Sequence, residues 1–163
     1  FGVCEWDVVK SNIEYMNHAE GIEIFYLDHL TALATGQGTD ERVELERITS
    51  DIAKLAKRLN IIIIMVSHLA TPMGKPHEEG GRVSIRHFKG SRAIGFWCHF
   101  MFGLERDQQA EDETERQTTT FRVLKDRYTG QATGLTFPLN YDHVTGKLYE
   151  VSPFDSTPLA ANF

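Results

Sequence analysis

Two apolar runs organise this chain. The first, IEIFYLDHL, spans Ile22 to Leu30, and the second, NIIIIMVSHL, spans Asn60 to Leu69. Each ends in polar groups, Asp28 in the first and Ser67 and His68 in the second. Short apolar runs rich in β-branched residues predict strands, here Ile22 to Asp28 and Ile61 to Ser67. Between them Leu45, Ile48, Ile52, Leu55 and Leu59 recur at steps of three and four, the stripe of an amphipathic helix. Thr39 is placed to cap that helix, Asp40 and Glu41 suit its positive first turn, and Asn60 can close it. Strand, helix and strand in this order predict a parallel βαβ unit with strands buried on both faces. Ligands of such sheets sit beyond the carboxyl ends of the strands, where Asp28 and His68 fall.

The same reading extends outward. Trp6, Val9, Ile13 and Met16 predict a helix over Glu5 to Glu20, stopped by Gly21. Thr31 to Gly38 is a loop. Leu69 to Phe88, broken by Pro72, Gly74, Pro76, Gly80 and Gly81, is a long loop of the kind that carries function. A short helix is expected over Gly90 to Cys98, a third buried strand over Cys98 to Glu105, and a polar surface turn over Asp107 to Arg116. Thr118 to Arg127 and Gly134 to Tyr141 form a hairpin, Asp142 to Gly146 a turn, and Lys147 to Val151 a last short strand. The tail after Pro153 is expected to be loosely held. The expected fold class is α/β: a parallel sheet flanked by helices, with a C-terminal antiparallel β extension.

Composition narrows the function without fixing it. The 163 residues suffice for one domain with a core, and 41% hydrophobic with 25% charged residues is ordinary for a globular protein. The longest apolar run, Ile61 to Val66, is far too short to span a bilayer, and no signal peptide is visible. The chain begins at Phe1 rather than a methionine, so it is expected to be a piece of something longer. Cys4 and Cys98 are too few and too distant for a zinc site or a disulfide framework, which suits a reducing compartment. The net charge of −6 argues against a general nucleic-acid binder. Yet Lys75, Arg82, Arg86, Lys89 and Arg92 gather in one segment, enough for a local phosphate-binding loop, or for an ordinary solvated one.

A carboxylate at the tip of an apolar strand, beside a second polar tip, is how P-loop ATPases hold magnesium and sense the γ-phosphate. No G-x-x-x-x-G-K-[ST] cradle occurs in the chain. Lys125 and Arg127 lie two apart on a predicted strand and so share a face. Two cations projecting together need solvent or an anion opposite, and both are expected to be exposed.

Six motifs in order carry a family resemblance: YLDH (Tyr26 to His29), VSHL (Val66 to Leu69), HEEGGRVSIRHFKGS (His77 to Ser91), LERDQQ (Leu104 to Gln109), LKDRYTG (Leu124 to Gly130) and NYDHVTGKL (Asn140 to Leu148). Together they cover nearly the whole chain. It resembles the C-terminal part of the RecA-like core of hexameric replicative helicases, most of all the phage primase-helicases and the mitochondrial helicase Twinkle. The resemblance makes residues 1–152 part of a helicase motor domain, with 153–163 as tail and the P-loop portion upstream.

It implies Mg²⁺ and ATP, dTTP or another nucleoside triphosphate as cofactors. Asp28 would be the metal-holding and catalytic carboxylate, and His68 the γ-phosphate sensor. Arg127, with Lys125, would be a finger reaching the neighbouring subunit's site. Arg106 and Tyr141 would flank the base, by stacking a guanidinium and a ring. Lys75, Lys89, Gly90 and Ser91, and less centrally the Thr35 to Thr39 loop, would touch DNA phosphates. The implied partners are single-stranded DNA, further copies in a ring, a hexamer in the parent, and a primase domain or primase partner, with no membrane. The implied location is the cytoplasm, that of an infected bacterium for a phage protein. Two alternatives stay open: a RecA/RadA- or KaiC-like ATPase, and a non-catalytic DNA-binding or assembly module that keeps the fold.

Overall fold

The structure is a computed structural model that describes residues 5–34 and 40–151. Thr39 and the rest of the Thr35 to Thr39 loop, and the tail beyond Val151, lie outside the described residues. The chain divides into two compact units. One takes the sequence up to Ala70 together with Ile85–Cys98; the other takes Thr71–Ser84 and the sequence from His99 onward.

In the first unit, α1 (Trp6–Glu20) ends at Gly21, whose left-handed backbone lets its amide reach the Asn17 carbonyl at 3.0 Å. Trp6 and Ile13 are its buried anchors, as the periodicity predicts. The helix α2 (Glu41–Leu59) is capped by Asp40, whose carboxylate accepts from the Arg42 amide, and it closes at left-handed Asn60. Its stripe of Leu45, Ile48, Ile52 and Leu55 is at most 4% exposed. Side chains of this size each contribute about 2 kcal/mol when fully buried. Arg58 of α2 forms an ion pair with Glu14 of α1.

Strands β1 (Ile24–Leu27) and β2 (Ile62–Met65) pair in parallel, Ile24 opposite Ile62 and Leu27 opposite Met65. The expected βαβ unit is present, but burial on both faces is not. Phe25, Leu27, Ile63 and Met65 are buried or half-buried, whereas Ile24, Tyr26, Ile62, Ile64 and Val66 are exposed. The described residues supply layers for one face only.

In the second unit, β3 (Phe100–Glu105), β4 (Thr119–Asp126), β5 (Thr136–Asp142) and β6 (Lys147–Glu150) form one antiparallel sheet in sequence order. The expected third buried strand is therefore the first strand of this sheet. It alternates exposed Phe100, Phe102 and Leu104 with buried Met101, Gly103 and Glu105. The expected polar turn after it contains a short helix, Glu113–Gln117, capped by Asp112. The turns after β4 and β5 are built alike. Asp126 accepts from the amides of Tyr128 and Thr129 and from the Thr129 hydroxyl, and Asp142 does the same with Val144 and Thr145. These bonds hold both aspartates below the usual carboxylate range, the threonine hydroxyl contributing most in each.

Candidate functional site

Asp28 and His68 leave the same end of the β1–β2 pair. Beyond the strands the Val66 amide still donates to the Leu27 carbonyl at 2.9 Å, and the Leu30 amide to the Val66 carbonyl at 2.8 Å. This pairing carries the two polar tips out side by side. Both residues are exposed, as a ligand site requires. The peptide between Asp28 and His29 is cis.

Two residues without an expected role complete this end. The His29 ring lies 4.0 Å from the His68 ring, centroid to centroid. The Thr31 hydroxyl lies between them, 2.8 Å from Nδ1 of His29 and 3.2 Å from Nδ1 of His68. Thr31 sits in a short 3₁₀ turn, Leu30–Leu33, between fully buried Leu30 and buried Leu33. The signal in the sequence was slight: a hydroxyl two residues after a histidine at a strand end is a common local hydrogen-bonding pattern.

The Lys89 amide donates to the His68 carbonyl at 3.2 Å, so the backbone brings exposed Lys89 to the strand end. Gly90 has φ 72° and starts α3 (Ser91–Trp97). A Cβ there would lie 3.2 Å from Cβ of Leu45 and in a strained backbone region, which gives this glycine a conformational reason. Ser91 is the first residue of α3. A groove of about 390 Å³ lined by Glu46, Arg92, Ala93, Phe96 and Trp97 involves none of the expected site residues.

The remaining candidates belong to the second unit. Lys125 pairs with Met101 across the β3–β4 ladder, and the Arg127 amide donates to the His99 carbonyl at 2.9 Å just past the strand. The two-residue repeat holds, so both project from one face. Arg127 is exposed, but Lys125 is half-buried rather than exposed, because it lies within the ladder while Arg127 lies beyond it. Arg106 donates from Nε to the Arg116 carbonyl at 2.7 Å, and Tyr141 sets its ring edge-on to His143 at 5.0 Å. The ladders place Arg106 and Tyr141 toward the same end of the sheet, with β4 between their strands. Lys75 is paired with Asp107 at 3.3 Å.

Among the described residues, no three His, Cys, Asp or Glu side chains gather to hold a metal. That suits magnesium better than zinc or calcium, since Mg²⁺ keeps several waters and takes one or two carboxylates plus substrate phosphates. Exposed Asp28 fits that donor set.

No family model matches the chain. The DNA helicase/primase of Enterobacteria phage T3 is 31% identical over 150 residues, which is 91% of this chain and 26% of that protein. The chain is homologous to part of a phage DNA helicase/primase. It therefore spans about a quarter of this relative's length. Among solved structures, a helicase ATPase domain superposes with a TM-score of 0.70 at 16% identity, over 91% of this chain and 52% of that one. A DnaB-like replicative helicase, described with its interactions with primase, gives 0.69 at 16% identity, over 91% and 36%. This is the RecA-like fold of helicase ATPase domains. The expected α/β class and the expected resemblance are both borne out.

Proposed function

We propose that this chain is part of the motor of a replicative DNA helicase. The parent would couple hydrolysis of ATP, dTTP or another nucleoside triphosphate to movement along single-stranded DNA. The observation that carries the reading is the exit of Asp28 and His68 from one end of adjoining parallel strands, in a homologue of a phage helicase/primase.

In this reading Asp28 holds Mg²⁺ through its water shell, and the ion neutralises charge on the phosphates. His68 meets the γ-phosphate. Lys89, next to the His68 backbone, offers a cation to a DNA phosphate; such contacts position a strand without reading its sequence. Gly90 and Ser91 would add backbone amides, and Lys75 would join them on leaving Asp107. Arg106 and Tyr141 flank the base. Arg127, seconded by Lys125, reaches a neighbouring copy's site in a hexameric ring. A primase domain or partner completes the assembly, in the cytoplasm of the host. The phosphate cradle would come from elsewhere in the parent, so this chain alone should not turn over ATP.

Steady-state hydrolysis by the parent, with and without single-stranded DNA, tests the two central roles. Asp28→Asn keeps shape and deletes charge, so the parent should fold and lose most hydrolysis in both conditions. His68→Ala should keep basal hydrolysis and lose stimulation by DNA. Equal stimulation in wild type and His68→Ala would remove the sensor role.

A further inference from the structure

We propose that Thr31, itself held by His29, is a positioning residue that fixes the tautomer and orientation of His68, leaving Nε2 as the nitrogen that meets a ligand. The ligand's identity as a γ-phosphate rests on the function proposed above; the relay itself does not.

The protons can be followed along the relay. The Ala32 amide can only donate, and it lies 3.2 Å from Nδ1 of His29. That nitrogen therefore bears a lone pair, and the proton of neutral His29 sits on Nε2. A threonine hydroxyl has one proton and two acceptor sites. At 2.8 Å from a bare Nδ1, the Thr31 proton is committed to His29. Only lone pairs of the Thr31 oxygen then remain for His68, so Nδ1 of His68, at 3.2 Å, must donate. In this tautomer the neutral His68 ring turns a lone pair outward from Nε2. It donates from Nε2 to a phosphate oxygen only when both nitrogens carry protons, and Thr31 accepts from Nδ1 in either state.

Rigidity comes from burial. Thr31 is 5% exposed, and its neighbours Leu30 and Leu33 are 0% and 9% exposed. The hydroxyl cannot swing away without dragging that turn out of the core. An exposed histidine at a strand end is thus clamped by a buried hydroxyl on one side and a ring 4.0 Å away on the other. Hydrogen bonds of this kind set which nitrogen of a histidine faces its ligand.

Long-range ¹H–¹⁵N NMR of the histidine-labelled chain reads the tautomer directly, without nucleotide or partner. The expected result is an Nδ1–H tautomer for His68 in the wild type and in Thr31→Ser, and loss of that bias in Thr31→Val. A dominant Nε2–H form in the wild type overturns the relay. In the parent, Thr31→Val should lower DNA-stimulated hydrolysis about 10-fold, the scale on which loss of an orienting partner acts, and Thr31→Ser should restore it. Full stimulation in Thr31→Val overturns the positioning role. A wild-type parent with no DNA-stimulated hydrolysis would instead sink the proposed function, and the NMR spectrum would still decide the relay.

Discussion

Glu105 shows how one residue can be structural where its motif suggests chemistry. It stands in LERDQQ beside Arg106, yet it is 8% exposed and accepts three hydrogen bonds, from the Val83 amide at 2.9 Å and from Arg122 at 2.7 and 2.8 Å. Burial pushes its carboxyl up, but the Arg122 bonds, the Val83 amide and the charges of Arg122 and Arg82 outweigh this and leave it below the usual range. A carboxylate depressed on folding stabilises the fold above its unfolded value, about 4.3 for glutamate, and that stability is lost as pH falls below it. Thermal melts should therefore drop steeply in that acid range. Glu105→Gln should flatten the drop and cost about 3 kcal/mol at neutral pH, by leaving Arg122 without its partner charge. An unchanged melting profile would show that Glu44, also depressed by its Arg47 hydrogen bond, carries the acid sensitivity instead. Gly81, in the HEEGG motif, has an equally local reason: a Cβ there would run into the Lys75 carbonyl.

At the scale of elements, periodicity was a good guide where a helix or strand packs on its own unit. The stripe of α2 and the anchors of α1 were readable because burial repeats with the period of the element. Two features were not readable. An unbroken apolar run such as IIIIMV looks the same whether one face or both are covered, so it could not show that Ile62 and Ile64 face outward. Nor does an alternating strand name its partner, which is why β3 was expected beside the parallel pair and instead joins the antiparallel sheet. The His29–Thr31–His68 cluster was hidden for another reason: Thr31 and His68 are 37 residues apart and meet only through strand pairing. The open face makes its own prediction. Exposed Ile24, Tyr26, Ile62, Ile64 and Val66 form a contiguous apolar surface of the kind that drives association. The isolated chain should self-associate as concentration rises in sedimentation velocity runs. Tyr26→Lys with Ile64→Lys should suppress this and shift stability by no more than about 0.5 kcal/mol, as exposed sites allow. A large loss of stability in that variant would mean the face is packed in solution.

At the scale of the whole molecule, the candidate chemistry is split between two units. Asp28 and His68 stand on the parallel pair, and Arg127 stands just past β4 of the antiparallel sheet. A finger acting in trans needs its cation displayed on the surface, and Arg127 is exposed, with Lys125 behind it on the same face. Such a residue can be worth several powers of ten in rate, so either Arg127→Ala or Asp28→Asn should silence a ring built of one variant alone. Mixing separates the two geometries. If Arg127 serves the neighbouring copy, some interfaces in a mixed ring join an intact Asp28 to an intact Arg127, and hydrolysis returns at those interfaces. In a randomly mixed ring at equal proportions, about a quarter of the interfaces meet that condition, so recovery should approach that fraction of the wild-type rate if sites act independently. If Arg127 serves its own copy, every site lacks one group and mixing restores nothing. A mixed ring that stays silent while each variant still assembles would leave Arg127 as a surface cation at the end of β4.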